Sequence, residues 1–362
     1  MHPARSRCGA VSFALALALC PLAMAQTLGP DFAAAYSIVN QGSLPGVVGP
    51  YGGVTFRQGE NNKLLIGGRA NTFAAEIFEI RFSRGADGRI RDFECGPAVV
   101  LADANGASGG IDGGLCYGPD GVLFYTTYSD NRLGQIVPGG VGPARLIALT
   151  DLGIASSTGT LQFVPDDFPG AGRLKIASYN AGFWYDATVS PDGMGTFNVT
   201  VSPGLVNVGG GPEGIVYVAG GNPGFAVDSV LISEYATGRV VAYEIDSRGD
   251  PIVATRRIFL SGLSGAEGAA IDPRTGDFVF STFGGGDRLL RVTGFTETRP
   301  GDANCDGNVT VGDIGFFVTA LTNPGAFQGC DILRCDVNLD GFVTVADIGP
   351  FVLSLTSGPG CG

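Results

Sequence analysis

Glu213 to Ile245 reads EGIVYVAGGNPGFAVDSVLISEYATGRVVAYEI, three short apolar runs separated by turn residues. The runs are Gly214 to Val218, Ser229 to Glu234 and Arg239 to Ile245, each four to eight residues long and rich in Val, Ile and Tyr, the composition of strands. The same series recurs elsewhere. Its starts are Tyr51-Gly52, Asp112-Gly113, Thr158-Gly159, Glu213-Gly214 and Glu267-Gly268, spaced by 46 to 61 residues. A stronger second strand follows each, at Lys63 to Ile66, Val122 to Thr127, Arg173 to Ser178, Ser229 to Glu234 and Asp277 to Thr282. Third strands fall at Ile77 to Phe82, Leu133 to Val137, Phe183 to Val189, Arg239 to Ile245 and Leu289 to Val292, with a fourth after most of them.

Four strands per repeat make a propeller blade. Residues 27 to 300 show no helical periodicity, and the 60 glycines of the chain mark turns. The expected fold is therefore mainly β, a five-bladed β-propeller over residues 26–295, with six blades, a β-sandwich or a β-helix as alternatives. The fifth repeat ends near Phe295 one strand short, while Ala35 to Val39 is a strand without a repeat. Pairing the two closes the ring and leaves no open sheet edge.

Composition bounds the rest. Arg5 and Arg7, an apolar run from Val11 to Leu22 and an Ala23-Met24-Ala25 site read as a secretory signal peptide over residues 1–25. Leu19 before Cys20 is not the small residue a lipoprotein needs, so cleavage and an extracellular or cell-surface location are expected. The mature chain keeps 20 basic residues against 34 acidic ones, which argues against nucleic acid as a partner. No later stretch is apolar for long enough to span a bilayer. The one histidine, His2, leaves with the signal, which excludes Ser-His-Asp and Cys-His catalysis and His-based zinc sites.

The C-terminal stretch 301–362, after a linker at 296–300, carries two twelve-residue loops offset by 34 residues. Oxygen-bearing residues stand at matching positions: Asp302, Asn304, Asp306, Thr310 and Asp313 in the first, Asp336, Asn338, Asp340, Thr344 and Asp347 in the second. Gly307 and Gly341 fall at the sharp bend, with backbone carbonyls expected from Asn308 and Phe342. Such an oxygen cage suits calcium, one ion per loop. Each loop leads into a short helix, with Ile314, Phe317, Val318 and Leu321 matched by Ile348, Phe351, Val352 and Leu355 on one face. Seven Asp and one Arg in this stretch couple its folding to metal.

The single helix after each loop and the Asp at position twelve make the tail resemble a dockerin domain, a secreted loop-helix module that docks onto cohesin partners. The resemblance implies a cohesin-like or other surface or scaffold partner. Val311-Gly312 and Val345-Ala346 replace the usual polar recognition pairs, and neither helix has Lys or Arg, which points to an apolar or self-type docking surface. The ending Gly360-Cys361-Gly362 is similar to variant dockerins that finish in Gly-Cys and serve as surface anchors.

Six cysteines remain in an oxidising compartment. Cys305, Cys330, Cys335 and Cys361 allow three pairings, or an anchoring role for Cys361. In the blade register Cys116 is on an inner strand and Cys95 at the rim, too far apart for a bond.

The residues before the start glycines should stand at the mouth of the central channel. Asp112, Glu213 and Glu267 would repel one another there unless a cation intervened, with calcium the natural third ion. A second origin stays open, because turns before strands favour acidic residues anyway. Pro212-Glu213-Gly214 and Ala266-Glu267-Gly268 resemble strand starts of gluconolactonase and paraoxonase-like propellers, whose channel metal carries lactone or ester hydrolysis. A carboxylate-pair glycosidase is another enzymatic reading. Tyr179, Phe183, Trp184 and Tyr185 could stack on sugars or fill a blade core. Gly209 to Gly214 fits G-x-G-x-x-G by letter, yet no helix follows, so a turn between blades is expected. Sequence alone ranks display or binding of a glycan or protein first and a metal-dependent hydrolase second.

Overall fold

The computed structural model describes residues 26–60, 62–85, 88–94, 98–295, 300–304, 309–328, 332–338 and 342–356. Five antiparallel sheets form the five blades of a propeller. From the inner strand outward, blade 1 is Val54–Phe56, Lys63–Gly68 and Glu76–Arg84. Its nine-residue third strand is long enough to be shared by Val99–Asp103 at one end and Ile90–Phe93 at the other. Blade 2 is Gly110–Tyr117, Leu123–Tyr128, Arg132–Ile136 and Arg145–Ala148. Blade 3 runs Thr158–Phe163, Leu174–Ser178 and Phe183–Pro191, with Phe197–Val201 and Val206–Asn207 sharing the outer edge. Blade 4 is Pro212–Val218, Ser229–Glu234, Arg239–Glu244 and Arg257–Ser261; blade 5 is Ala266–Ile271, Phe278–Thr282 and Leu289–Thr293.

The ring closes through the N-terminal segment. Ser37–Gly42 supplies the fourth strand of blade 5, pairing Ser37 with Thr293 and Ile38 with Val292. Ten residues earlier, Thr27–Leu28 adds a fifth strand to blade 4, opposite Ser261 and Leu260. The segment therefore clasps two blades where one was expected. Between its strands Phe32 and Tyr36 turn inward; the Phe32 ring lies 5.0 Å from both Phe225 and Phe259, and Tyr36 lies 4.6 Å from Phe295. Truncating a fully buried Phe costs about 3–5 kcal/mol, so Phe32 alone makes the clasp a large part of domain stability.

Five apolar clusters follow, one between every neighbouring pair of blades, the fifth and first included. That is why the second strands read as unbroken apolar runs: a blade buried on both faces, such as at Ser229–Glu234, has no solvent side to alternate toward. The start glycines have a steric origin as well. A Cβ on Gly113 would lie 2.0 Å from the Glu213 carbonyl oxygen, and one on Gly214 2.4 Å from that of Glu267. Near the axis the inner strands touch, so only glycine fits.

In the tail, Ile314–Thr322 and Ile348–Thr356 are the two helices. Each is entered through a capping box. The Asp313 carboxylate accepts from the Asn304 and Thr310 amides at 3.0 and 2.8 Å, and Asp347 accepts from Asn338 and Thr344 at 2.9 and 2.8 Å. The Phe317 and Phe351 rings stack with centroids 4.0 Å apart, so the internal repeat is visible in the packing. The expected apolar face is divided. Phe317 and Phe351 are buried, but Ile314, Val318, Ile348 and Val352 are each 41–50% exposed, because two nine-residue helices bury only the narrow stripe between them. Val311 and Val345 are both 79% exposed.

The signal peptide, Thr296 to Arg299 of the linker, Cys95, Cys305, Asp306, Asn308, Cys330, Asp340 and Cys361 lie outside the described residues. Cys116 is a buried free thiol, and burial pushes it up to about 12. Among the described residues no helix is long and apolar enough to cross a membrane.

Candidate metal centre

Asp112, Glu213 and Glu267 come from the inner strands of blades 2, 4 and 5, each beside its start glycine. The contact forced at those glycines draws the three side chains together. One oxygen from each lies within 4.8 Å of the others. All three residues are buried, at 1%, 3% and 1% exposure. Asp112 Oδ2, Glu213 Oε2 and Glu267 Oε1 have no hydrogen-bond partner, nor does Asn71 Oδ1 beside them.

These carboxylates form the floor of a cavity of about 270 Å³ walled by Asn71, Tyr128, Tyr179, Tyr235 and Phe283. No Lys, Arg or His is among the lining residues. Burial pushes Asp112 up to about 8, against hydrogen bonds from the Asn71 amide, Glu267 and the Gly113 N–H that favour its charged form. Glu213 and Glu267 rise well above the usual carboxylate range, first through burial and then through the neighbouring acids. Burial and the closeness of the three acids therefore both favour protonated forms when no cation is present.

The donor set fits a hard divalent ion. Oxygens bound to one calcium at about 2.4 Å can be no more than about 4.8 Å apart, and unpartnered buried carboxylate oxygens are what such an ion satisfies. Three carboxylates and one amide oxygen leave two to four positions for water or ligand.

The other two start positions do not reach the site. Tyr51 packs into the cluster between blades 5 and 1, its hydroxyl accepting from the Leu44 amide at 2.8 Å. Thr158 turns its hydroxyl to Asn131 Oδ1, and Asn131 also accepts from the Thr158 amide at 2.8 Å. The aromatic cluster at 179–185 is no sugar platform: Trp184 and Tyr185 are buried in inter-blade cores, with the Trp184 indole donating to Asp250 at 2.9 Å. Only Tyr179 faces the cavity. Gly209 to Gly211 form the turn into blade 4, as expected.

Four of the wall residues were not singled out from sequence: Asn71, Tyr128, Tyr235 and Phe283. Three had a signal. Tyr128, Tyr179, Tyr235 and Phe283 each follow the aligned second strand of blades 2 to 5 by one position, an aromatic repeat as regular as the glycines. Asn71 lies in the corresponding loop of blade 1, where a left-handed backbone (φ 65°) and a hydrogen bond from its amide to Ile111 O bring its side chain to Asp112.

In the tail, Asp302, Asp313, Asp336 and Asp347 are buried, and Arg334 pairs with Asp302 at 3.0 Å. The described loop residues thus turn their first and twelfth positions inward.

No family model matches the sequence. No curated protein matches either. Several solved propellers are similar in outline. A candidate oxidoreductase (glucose dehydrogenase) of Thermus thermophilus is 15% identical over 71% of this chain and 100% of its own, with a TM-score of 0.40. A candidate gluconolactonase is 13% identical over 75% and 95%, with a TM-score of 0.38. A streptogramin B lyase is 12% identical over 71% and 97%, with a TM-score of 0.34.

Proposed function

We propose that the propeller is a divalent-cation-dependent hydrolase of small esters or lactones, with calcium as the ion. The observation that carries this is the convergence of three buried carboxylates, each with an unpartnered oxygen, on one aromatic-walled cavity with no basic residue. Sequence alone ranks display first; the cavity is the observation that supports placing hydrolysis ahead of it. Its volume of about 270 Å³ is that of about nine waters, a space for a small molecule and not for a polymer or protein face.

A bound cation would polarise a carbonyl and ease deprotonation of water. The chain does the rest. Asp112, Glu213 and Glu267 would hold the ion, and Asn71, beside Asp112, would offer Oδ1 as a fourth oxygen. With no histidine in the mature chain, proton acceptance falls to the floor carboxylates. The aromatic walls would orient the substrate over the floor.

The same reading makes the protein a secreted one whose tail takes two calcium ions and attaches it to a surface or scaffold. The duplicated capping boxes and the paired exposed Val311 and Val345, Ile314 and Ile348, Val318 and Val352 support an apolar docking face.

Calcium calorimetry on the full chain tests the proposal together with a lactone and aryl-ester panel. Three ions are expected, falling to two in Glu213→Gln and Glu267→Gln, with hydrolysis lost in both. Unchanged stoichiometry or undiminished hydrolysis in both variants overturns the reading.

A further inference from the structure

The walls of the cavity carry information about charge that the carboxylates alone do not. Tyr179 and Tyr235 stand edge to face with centroids 5.8 Å apart and planes at 77°; Tyr235 and Phe283 do so at 6.0 Å and 72°. Successive blades of a five-bladed ring are turned by about 72°, so each ring keeps the same stance on its own blade and stands upright along the channel axis. Tyr128, at the aligned sequence position of blade 2, also lines the cavity, so four aromatic side chains make up its wall above the acidic floor, a collar. Neighbours about 6 Å apart on a fivefold circle place the Tyr179, Tyr235 and Phe283 centroids about 5 Å from the axis, so a cation entering the cavity comes within the roughly 6 Å at which a ring that turns its face to it attracts it.

Charge balance points the same way. Three ionised carboxylates around one divalent ion leave one negative charge, and no Lys, Arg or His lines the cavity to offset it. A residual charge on buried oxygens at the floor of the cavity favours a ligand of opposite sign. An anionic substituent would add to it.

We infer that the substrate is positively charged: an ester or lactone bearing an alkylammonium or quaternary ammonium group, held inside the Tyr128, Tyr179, Tyr235 and Phe283 collar while its carbonyl reaches the ion. This rests on the reading of the floor as a metal-dependent hydrolytic centre. The collar then acts as the specificity element, accepting a cation and refusing phosphorylated or carboxylated relatives of the same ester.

The test is binding, not turnover. The calcium-loaded full chain is titrated by calorimetry with choline, with its neutral carbon isostere 3,3-dimethylbutan-1-ol, and with anionic 2-hydroxyethanesulfonate. Choline is expected to bind at least tenfold tighter than the neutral isostere, and the sulfonate not at all. Tyr235→Leu should reduce choline affinity about tenfold, whereas Tyr235→Phe, which keeps the ring, should retain it. Equal affinity for choline and the isostere, or preference for the sulfonate, overturns the inference. A calcium titration of the same samples separates the two ideas: an ion bound at the floor without choline preference refutes the collar alone, while no ion there refutes the metal centre.

Discussion

Three buried acids without a counter-ion should make the metal-free protein weaker as pH rises, an unusual sign for a carboxylate. Asp112 moves from an ordinary 3.8 to about 8 in the fold. A raised folded value means the native state keeps a proton that the unfolded chain releases. Stability is therefore full below about pH 4 and lost progressively as pH climbs to about 8. At about 1.4 kcal/mol for each pH unit, the rise of Asp112 from 3.8 to about 8 corresponds to about 6 kcal/mol, with Glu213 and Glu267 adding in the same direction. For a domain this size that is roughly 10 °C or more in melting temperature. If the proposed ion binds, calcium should reverse the trend, because it needs the ionised forms and competes with the protons.

The assay is thermal melting of the full chain at pH 5, 6.5 and 8, in EDTA and in calcium, for wild type and Glu213→Gln. In EDTA the wild type should lose stability between pH 5 and 8 and the variant should lose less. In calcium the wild type should gain most at pH 8. Both proteins carry the same tail, so its ions cancel in the comparison. A flat wild-type profile in EDTA, or a variant that tracks the wild type under every condition, refutes the reasoning.

Other expectations follow from the packing. Gly113→Ala places a Cβ 2.0 Å from the Glu213 carbonyl and should cost about 3 kcal/mol or more, or prevent folding; chemical denaturation measures it. Gly315→Ala meets nothing within 4 Å on an exposed helix turn and should instead stabilise the tail by about 0.5–1 kcal/mol, read from its own melting transition. Lys175 is fully buried, with its ammonium 2.8 Å from Asp186 and 2.6 Å from Asp250; Lys175→Ala leaves Asp186 to Arg173 and Asp250 to Trp184 and Arg248, and should cost about 3 kcal/mol in urea unfolding. Removing residues 26–42 opens the edges of blades 4 and 5 and uncovers Phe225, Phe259 and Phe295, so light scattering should show association of the shortened chain at micromolar concentration.

The blades were legible because their inner strands are buried on both faces and leave little choice of residue. Ser229–Glu234 is read to the residue, and the expected third strand Arg239 to Ile245 ends one residue late. The closing strand was legible as a shortage of one strand in blade 5 matched by a surplus at the N-terminus. Thr27–Leu28 was not: two residues carry no periodicity, and their pairing is decided by the Phe32 and Tyr36 contacts beyond them. The tail helices were legible in extent but not in facing, since their pattern offers more apolar surface than a two-helix module can cover.

The acidic floor poses the sharper question of why those residues are acidic at all. A turn preference accounts for Asp or Glu where the side chain reaches water and bonds to its own loop. Asp112, Glu213 and Glu267 do neither; they are at most 3% exposed, each with an oxygen that bonds to nothing. The glycine beside each is required by the contact of inner strands, and that contact also brings the carboxylates together, so the fold itself creates their repulsion. Thr158 and Tyr51 show that the position does not demand an acid: one blade fills it with a hydroxyl satisfied by Asn131, another with a ring buried between blades. Three acids set where the fold penalises their charge are the observation from which the proposed ion is argued, because an ion is what would offset that penalty.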